Sequence, residues 1–312
     1  NLSILLGDGN GGLSTATNYV AGDNPSAVAV GDVNGDGVLD LAVANLGDGA
    51  VSVLLGVGVS DAQGAQDVFA IDLDGDGDVD VLSASWTDNK VAWYENDNSQ
   101  NFSKNSISTS VNHVGTVFAT DMDGDGDLDV VAASETAGNV LWFENDGEEN
   151  FSAHTVATGV DGANTVFAID VDSDGDTDVL SASHLDDTVA WYENDGNESF
   201  TAHTISSTAD HVRDVFAMDV DADGDVDVVA AASGSDTTVW YENDGAQGFS
   251  EHVIHDGDSG DGVHSVFLID VDGDGDPDVL TASGADDTIN WYRNAASLSY
   301  VEVVRDGVDD VD

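Results

Sequence analysis

The sequence contains no cysteine, five Lys and Arg among 312 residues, and no apolar run approaching 18 residues. Without cysteine there is no disulfide framework and no thiol chemistry, so any staple the chain needs must be of another kind. Five cations against 63 Asp and Glu leave a formal charge of −58. A nucleic-acid binder needs cations to displace phosphate counterions, and an anionic membrane surface demands them too, so both partner classes are excluded. The absence of a long apolar stretch excludes a transmembrane helix, and no membrane insertion is expected. Residues 1–20 hold neither a basic n-region nor a continuous apolar h-region. A first residue other than Met fits a processed chain or a fragment, and an export signal is expected to lie outside this chain.

Strong acidity with few aromatics often accompanies disorder. Here 41% of residues are hydrophobic, and Val, Ile, Phe, Trp and Tyr recur at regular places between Gly and Asp clusters, which suffices to bury a core. Self-comparison reveals a repeat. The segment Val68–Asp78 returns from Val117, Val166, Val215 and Val266; its leading Asp falls at Asp72, Asp121, Asp170, Asp219 and Asp270, spaced by 49, 49, 49 and 51 residues. A more divergent copy begins at Asp32. A second signature follows each later copy: Trp93-Tyr94, Trp142-Phe143, Trp191-Tyr192, Trp240-Tyr241 and Trp291-Tyr292.

Within one unit, residues 165–170, 178–183, 188–193 and 200–206 read as four short strands separated by Gly, Asp, Asn and Ser clusters. No 10-residue stretch has a helical apolar period. Four strands in each repeat predict an all-β chain, a β-propeller of four-stranded antiparallel blades forming a single domain over residues 1–312. Consecutive aromatics on one strand then point to opposite faces and pack between blades. The inner strands with their acidic loop occur six times and the third strand seven times, since Leu2–Leu6 matches Val51–Leu55 and the Trp-Tyr strands. Seven blades are therefore expected, one of them incomplete and begun at the N-terminus, with six blades and an extra hairpin as the alternative. Residues 57–66 look too short for an outer strand with its connections.

Each acidic loop has the form D-x-[DN]-x-D-G-x-x-D. The candidate ligands are Asp32, Asn34, Asp36 and Asp40 with the carbonyl of Val38; Asp72, Asp74, Asp76 and Asp80 with that of Asp78; and Asp121, Asp123, Asp125 and Asp129 with that of Asp127. The remaining three sets are Asp170, Asp172, Asp174 and Asp178 with Asp176; Asp219, Asp221, Asp223 and Asp227 with Asp225; and Asp270, Asp272, Asp274 and Asp278 with Asp276. Carboxylates at alternate positions, a Gly at position 6 that permits a sharp turn, and a fourth carboxylate at position 9 wrap hard oxygens around one point. That set suits Ca²⁺ better than the tighter octahedron of Mg²⁺, and it offers zinc or copper no Cys and no nearby His. An EF-hand would need Glu at position 12 and flanking helices; position 12 is Val43, Ser83, Ala132, Ser181, Ala230 and Thr281, and the flanks read as strands. Acids packed this densely without a cation would repel one another, so about six Ca²⁺ are expected.

The loop Asp32–Asp40 and its five relatives, joined to strands such as Ser26–Gly31, resemble FG-GAP/VCBS repeats, the blades of integrin-α-type propellers. The resemblance covers nearly the whole chain. It implies a propeller with Ca²⁺ in the hairpin loop between the first two strands of each blade, and a family that spans adhesion modules, lectins and domains attached to polysaccharide-degrading enzymes. Asn34 in place of Asp, Pro277 at position 8 of the last loop and a short first repeat depart from the pattern. None of these removes a ligand oxygen, so all six sites are expected.

Extracellular calcium modules have dissociation constants of roughly 10⁻⁴ to 10⁻³ M, so about 2 mM free Ca²⁺ would contribute roughly 0.6 to 1.8 kcal/mol per site. Cytosolic calcium would leave such sites nearly empty, which favours an extracellular or cell-surface location. His154, His203 and His252 recur in the outer strands, and His113 and His211 share another repeat position, marking both sets as repeat features. Trp86, His184 and His264 do not recur; with His211 and Arg213 they form the candidate ligand-binding set, expected in loops and connections at the ends of the blades opposite the acidic loops. No nucleophile elbow, phosphate loop or zinc-hydrolase motif is present, so no catalytic residue is assigned. The expected function is an exported, calcium-stabilised adhesion module that binds a glycan or an extracellular protein. The alternatives are a lyase-like polysaccharide-active enzyme or its accessory domain, and a self-assembling subunit of a surface layer. Of the 63 acids, 28 are Asp at odd loop positions; the other 35 face five cations and predict a surface adapted to high salt.

Overall fold

A computed structural model describes residues 2–4, 17–34, 39–47, 49–53, 57–60, 62–97, 101–257, 262–285, 288–294 and 303–307. Among these none is helical, and no helix is long and apolar enough to cross a membrane. A two-stranded antiparallel ladder comes first, β1 (Leu2–Ile4) with β2 (Thr17–Tyr19). Six four-stranded sheets follow, each in sequence order. The first contains β3 (Pro25–Gly31), β4 (Asp40–Asn45), β5 (Ala50–Val53) and β6 (Val57–Ser60). The second contains β7 (Ala65–Ile71), β8 (Asp80–Ser85), β9 (Lys90–Asn96) and β10 (Phe102–Ser108). The third contains β11 (Val114–Thr120), β12 (Asp129–Ser134), β13 (Asn139–Asn145) and β14 (Phe151–Thr158). The fourth contains β15 (Ala163–Ile169), β16 (Asp178–Ser183), β17 (Thr188–Asn194) and β18 (Phe200–Ser206). The fifth contains β19 (Val212–Met218), β20 (Asp227–Ala232), β21 (Thr237–Asn243) and β22 (Phe249–Asp256). The sixth contains β23 (Val263–Ile269), β24 (Asp278–Ser283), β25 (Thr288–Tyr292) and β26 (Val303–Gly307). These are the blades of a six-bladed β-propeller.

Six is the alternative blade count of the sequence reading. The expected seventh blade reduces, among the described residues, to the β1–β2 ladder, with no inner pair beside it. The span judged too short for an outer strand does hold one. β6 needs four residues and pairs with all four of β5.

The chain forms two compact units, one built around Ala16–Ala168 and the other around Ile169–Asp195 and Thr201–Asp312. In the first, every residue of the second strands β8 and β12 is buried. Their sequences, DVLSAS and DVVAAS, use small Ala and Ser on both faces because neighbouring sheets cover both. The aromatic pair divides as its alternation dictates. Trp93 packs with Val114, Val117, Val130 and Phe143 of the following sheet, whereas Tyr94 packs with Val33, Ala42, Val51 and Val53 of the preceding one. First strands are also joined to one another: the Val117 N–H donates to Asp67 Oδ2 at 3.0 Å and the Val166 N–H to Thr116 Oγ1 at 3.0 Å. The rings of Phe69, Phe118 and Phe167 follow at 4.9 Å spacing.

The second unit repeats the scheme. Trp240 packs against Val263, Val266, Leu268 and Tyr292 of the last blade. The Val266 N–H donates to Asp214 Oδ2 at 2.9 Å, and Phe216 meets Phe267 at 5.0 Å.

Candidate metal centres

The acidic loop is the hairpin between the first and second strands. Asp72 follows β7 directly and Asp80 opens β8. Position 6 has φ of 97 to 102° at Gly77, Gly126, Gly175, Gly224 and Gly275, a region that only glycine enters freely. The turn is closed by its own carboxylates: the Gly77 N–H donates to Asp72 Oδ2 at 3.0 Å, the Asp76 N–H to Asp74 Oδ1 at 3.1 Å, and the Asp78 N–H to Asp76 Oδ1 at 2.9 Å. The loops after β11, β15, β19 and β23 repeat these bonds.

Position 9 ties the loop to the blade. Asp80 Oδ2 accepts the Leu73 N–H at 3.1 Å and its Oδ1 the Asn96 N–H at 2.8 Å, joining the loop to the end of β9. Asp129, Asp178, Asp227 and Asp278 do the same. All five are at most 1% exposed. Burial pushes the carboxyls of Asp80 and Asp178 up to about 7 and those of Asp129 and Asp227 up to about 6, against amide donors that pull them down. Asn96 in turn donates to Val79 O at 3.1 Å and to Val33 O of the preceding loop at 2.5 Å. Asn243 and Asn294 reach Val171 O at 3.4 Å and Val220 O at 2.9 Å in the same manner, so these Asn side chains clip neighbouring loops together.

Positions 1, 3 and 9 converge. Asp72, Asp74 and Asp80 each bring one oxygen to within 4.8 Å of the others, as do Asp121, Asp123 and Asp129; Asp170, Asp172 and Asp178; and Asp219, Asp221 and Asp227. Asp72 Oδ1 and Asp219 Oδ1 are buried with no hydrogen-bond partner in the protein. Burial, then neighbouring carboxylates among the remaining causes, raises Asp74, Asp123, Asp172 and Asp221 above the ordinary carboxylate value. An all-oxygen set with an unpaired buried oxygen fits a hard divalent cation. The position-5 acids Asp76, Asp125, Asp174 and Asp223 lie outside the convergent groups and accept the N–H of position 7. In the first loop Asp32, Asn34 and Asp40 are described, and Asp40 Oδ2 accepts the Val33 N–H at 3.1 Å. Asp36 and Val38 lie outside the described residues.

The family model described as an FG-GAP-like repeat matches residues 1–43, 72–132, 121–181, 170–230 and 219–281. The chain belongs to the FG-GAP-like repeat family. Among curated proteins none matches. Solved structures share the fold at low identity. A lectin from Agrocybe aegerita that recognises non-reducing terminal N-acetylglucosamine is 16% identical with a TM-score of 0.63, over 96% of this chain and 87% of that one. A catalytically inactive virginiamycin B lyase from Staphylococcus aureus is 12% identical at 0.62, over 97% and 87%. A protein from Lactobacillus plantarum is 13% identical at 0.65, over 94% and 88%.

Outside the loops, the FG-GAP-like blades repeat a second constellation. His154, His203 and His252 stack on Trp142, Trp191 and Trp240 at 4.5 to 4.7 Å and pair with Glu144, Glu193 and Glu242 at 2.6 to 2.7 Å. Sequence comparison found the recurrence of these histidines but not their partners. The candidate ligand set is dispersed. Trp86 follows β8 and stacks on His113 at 4.6 Å and 4°, where His113 Nδ1 meets Thr136 Oγ1 at 2.5 Å. His184 is buried. His211 Nδ1 pairs with Asp210 at 2.9 Å, and Asp187 completes an acidic group there. Arg213 and His264 were expected in connections but lie inside β19 and β23, each at the register shift between residues 212 and 214 or 263 and 265. A β-bulge re-aims its extra residue, and here it brings the two together. Burial and then the Arg213 charge hold His264 below the usual imidazole value.

Proposed function

We propose that this FG-GAP-like propeller is an exported, calcium-stabilised adhesion module that binds a glycan or an extracellular protein. The observation that carries the calcium half is the convergence of positions 1, 3 and 9 in loop after loop, with buried oxygens of Asp72 and Asp219 left without a partner. Those carboxylates would hold the ions, and bound Ca²⁺ would supply the positive charge that lets the hairpins pack. The chain's own part is to hold the oxygens in place, by the position-6 glycine turn and by the position-9 bracket to the third strand.

The binding half rests on residues that break the repeat. In one unit half-buried Trp86 presents a flat aromatic surface backed by His113; in the other, Arg213 and His264 offer a cation and a neutral imidazole. A flat aromatic such as Trp86 suits a sugar ring, and a lectin of the same fold makes glycans the first ligands to try. A glycan array probed in saturating Ca²⁺ and in EGTA tests this reading. Binding in Ca²⁺ that disappears with chelation and weakens in Trp86→Ala supports it, whereas an array blank in saturating Ca²⁺ overturns its carbohydrate form.

A further inference from the structure

The residue after the Trp-Tyr or Trp-Phe pair is Glu95, Glu144, Glu193 and Glu242 in blades two to five, but Arg293 in blade six. In blades three to five this Glu is held by the outer-strand His opposite the Trp, and in blade two Asn105 fills the His place and donates to Glu95 Oε2 at 3.4 Å. Val304 stands opposite Trp291 in the last blade, so the polar partner of a Glu is gone from the register. The charge at this place faces the acidic loop of its own blade: Glu144, Glu193 and Glu242 each add repulsion to the position-3 carboxylate. In blade six Arg293 Nε instead meets Asp272 Oδ2 at 2.5 Å and its guanidinium Nη2 donates to Asp274 Oδ2 at 3.0 Å. Those are positions 3 and 5 of the sixth loop, and Asp272 is 9% exposed. Both oxygens of Asp270 at position 1 also accept amide N–H groups, from Gly273 at 2.7 Å and Gly275 at 2.9 Å.

We propose that Arg293 is a built-in cation for the sixth acidic loop: its guanidinium neutralises Asp272 and Asp274, so this hairpin holds its shape without Ca²⁺ and takes up Ca²⁺ last. The proposal rests on the calcium reading above and makes the six loops unequal. A planar guanidinium bridging two carboxylates occupies oxygens that the ion would need, and a bound ion must displace it.

Native mass spectrometry of the whole chain, titrated with CaCl₂, counts the ions directly. At about 1 mM free Ca²⁺, wild type carries one ion fewer than Arg293→Gln, and Arg293→Glu, which restores the residue of blades two to five, behaves like Arg293→Gln. Wild type gains its last ion at a higher Ca²⁺ concentration than either variant, by about five-fold, the upper scale of an exposed ion pair. In EGTA, Arg293→Gln unfolds at a lower temperature than wild type, because its sixth loop has lost the counter-charge that Arg293 supplies; the gap closes in excess Ca²⁺. Equal ion counts in wild type and both variants overturn this inference and leave the calcium reading standing. No uptake by wild type or variants overturns the calcium reading itself.

Discussion

A backbone torsion decides which residues positions 4 and 6 of the acidic loops accept. At position 6 a φ near 100° lies beyond the left-handed region that Asn or Asp tolerates. Gly175→Ala therefore lowers stability by about 1 to 3 kcal/mol, although a Cβ there meets nothing within 4 Å; equilibrium denaturation measures it. Position 4 has φ of 72 to 77° where it is glycine, and 61 and 63° at Ser173 and Ala222. Ser173→Gly and Ala222→Gly should each add up to about 1 kcal/mol, read the same way. Position 9 carries the pH dependence. In the metal-free chain the folded state holds protons on Asp80, Asp129, Asp178 and Asp227 up to pH of about 6 to 7, against an ordinary value of 3.8. Their contribution is complete below the ordinary value and is lost as pH rises through 6 to 7. Thermal unfolding in EGTA should show stability falling over that window, and saturating Ca²⁺ should remove the fall. The position-9 acids were legible as members of the acidic loop but not as brackets, since the partner amide is 16 residues away. The signal that could have revealed it is the Asn that closes every Trp-Tyr-Glu or related strand in register with them.

At the scale of elements, the strands themselves were legible because composition alternates sharply: turn residues in the loops, Val and aromatics between them. The strands expected at 178–183 and 200–206 have those limits, and the first strand starts two residues earlier than read, at Ala163. The entry to first strands was hidden because a bulge shifts the register there, so Arg213 and His264 read as connection residues. The blade count was ambiguous for a different reason. A third-strand pattern at the N-terminus has the same sequence whether its ladder is completed or not, and only pairing distinguishes them. The aromatic third strand supplies the largest side chains of the cores between blades. Trp142 is 1% exposed and stacks on His154, so Trp142→Ala should cost about 3 to 5 kcal/mol in urea unfolding, with Trp142→Phe costing less.

For the whole molecule the excess of negative charge is the governing quantity. Six Ca²⁺ would offset 12 of the 58 net negative charges, leaving most of the self-repulsion to the surface. At about 1 M salt the Debye length shrinks to about 3 Å, so the melting temperature in saturating Ca²⁺ should rise between 10 mM and 2 M NaCl, and an unchanged value would remove the case for a high-salt habitat. Nothing in the loops' geometry could be read from the charge alone; the sequence offered six matching sets of donors, and the inequality proposed for them rests on one arginine just after the third strand of the last blade. The proposal that calcium holds this FG-GAP-like chain together is open to direct measurement. Its most direct test is the melting temperature of the intact chain at pH 7.5 as free Ca²⁺ is raised from EGTA to about 10 mM, a range that spans the expected dissociation constants. The expected result is a rise that sets in between roughly 0.1 and 1 mM and continues to 10 mM, accompanied by uptake of several ions per chain; a melting temperature that is the same in EGTA and in 10 mM Ca²⁺ would contradict it.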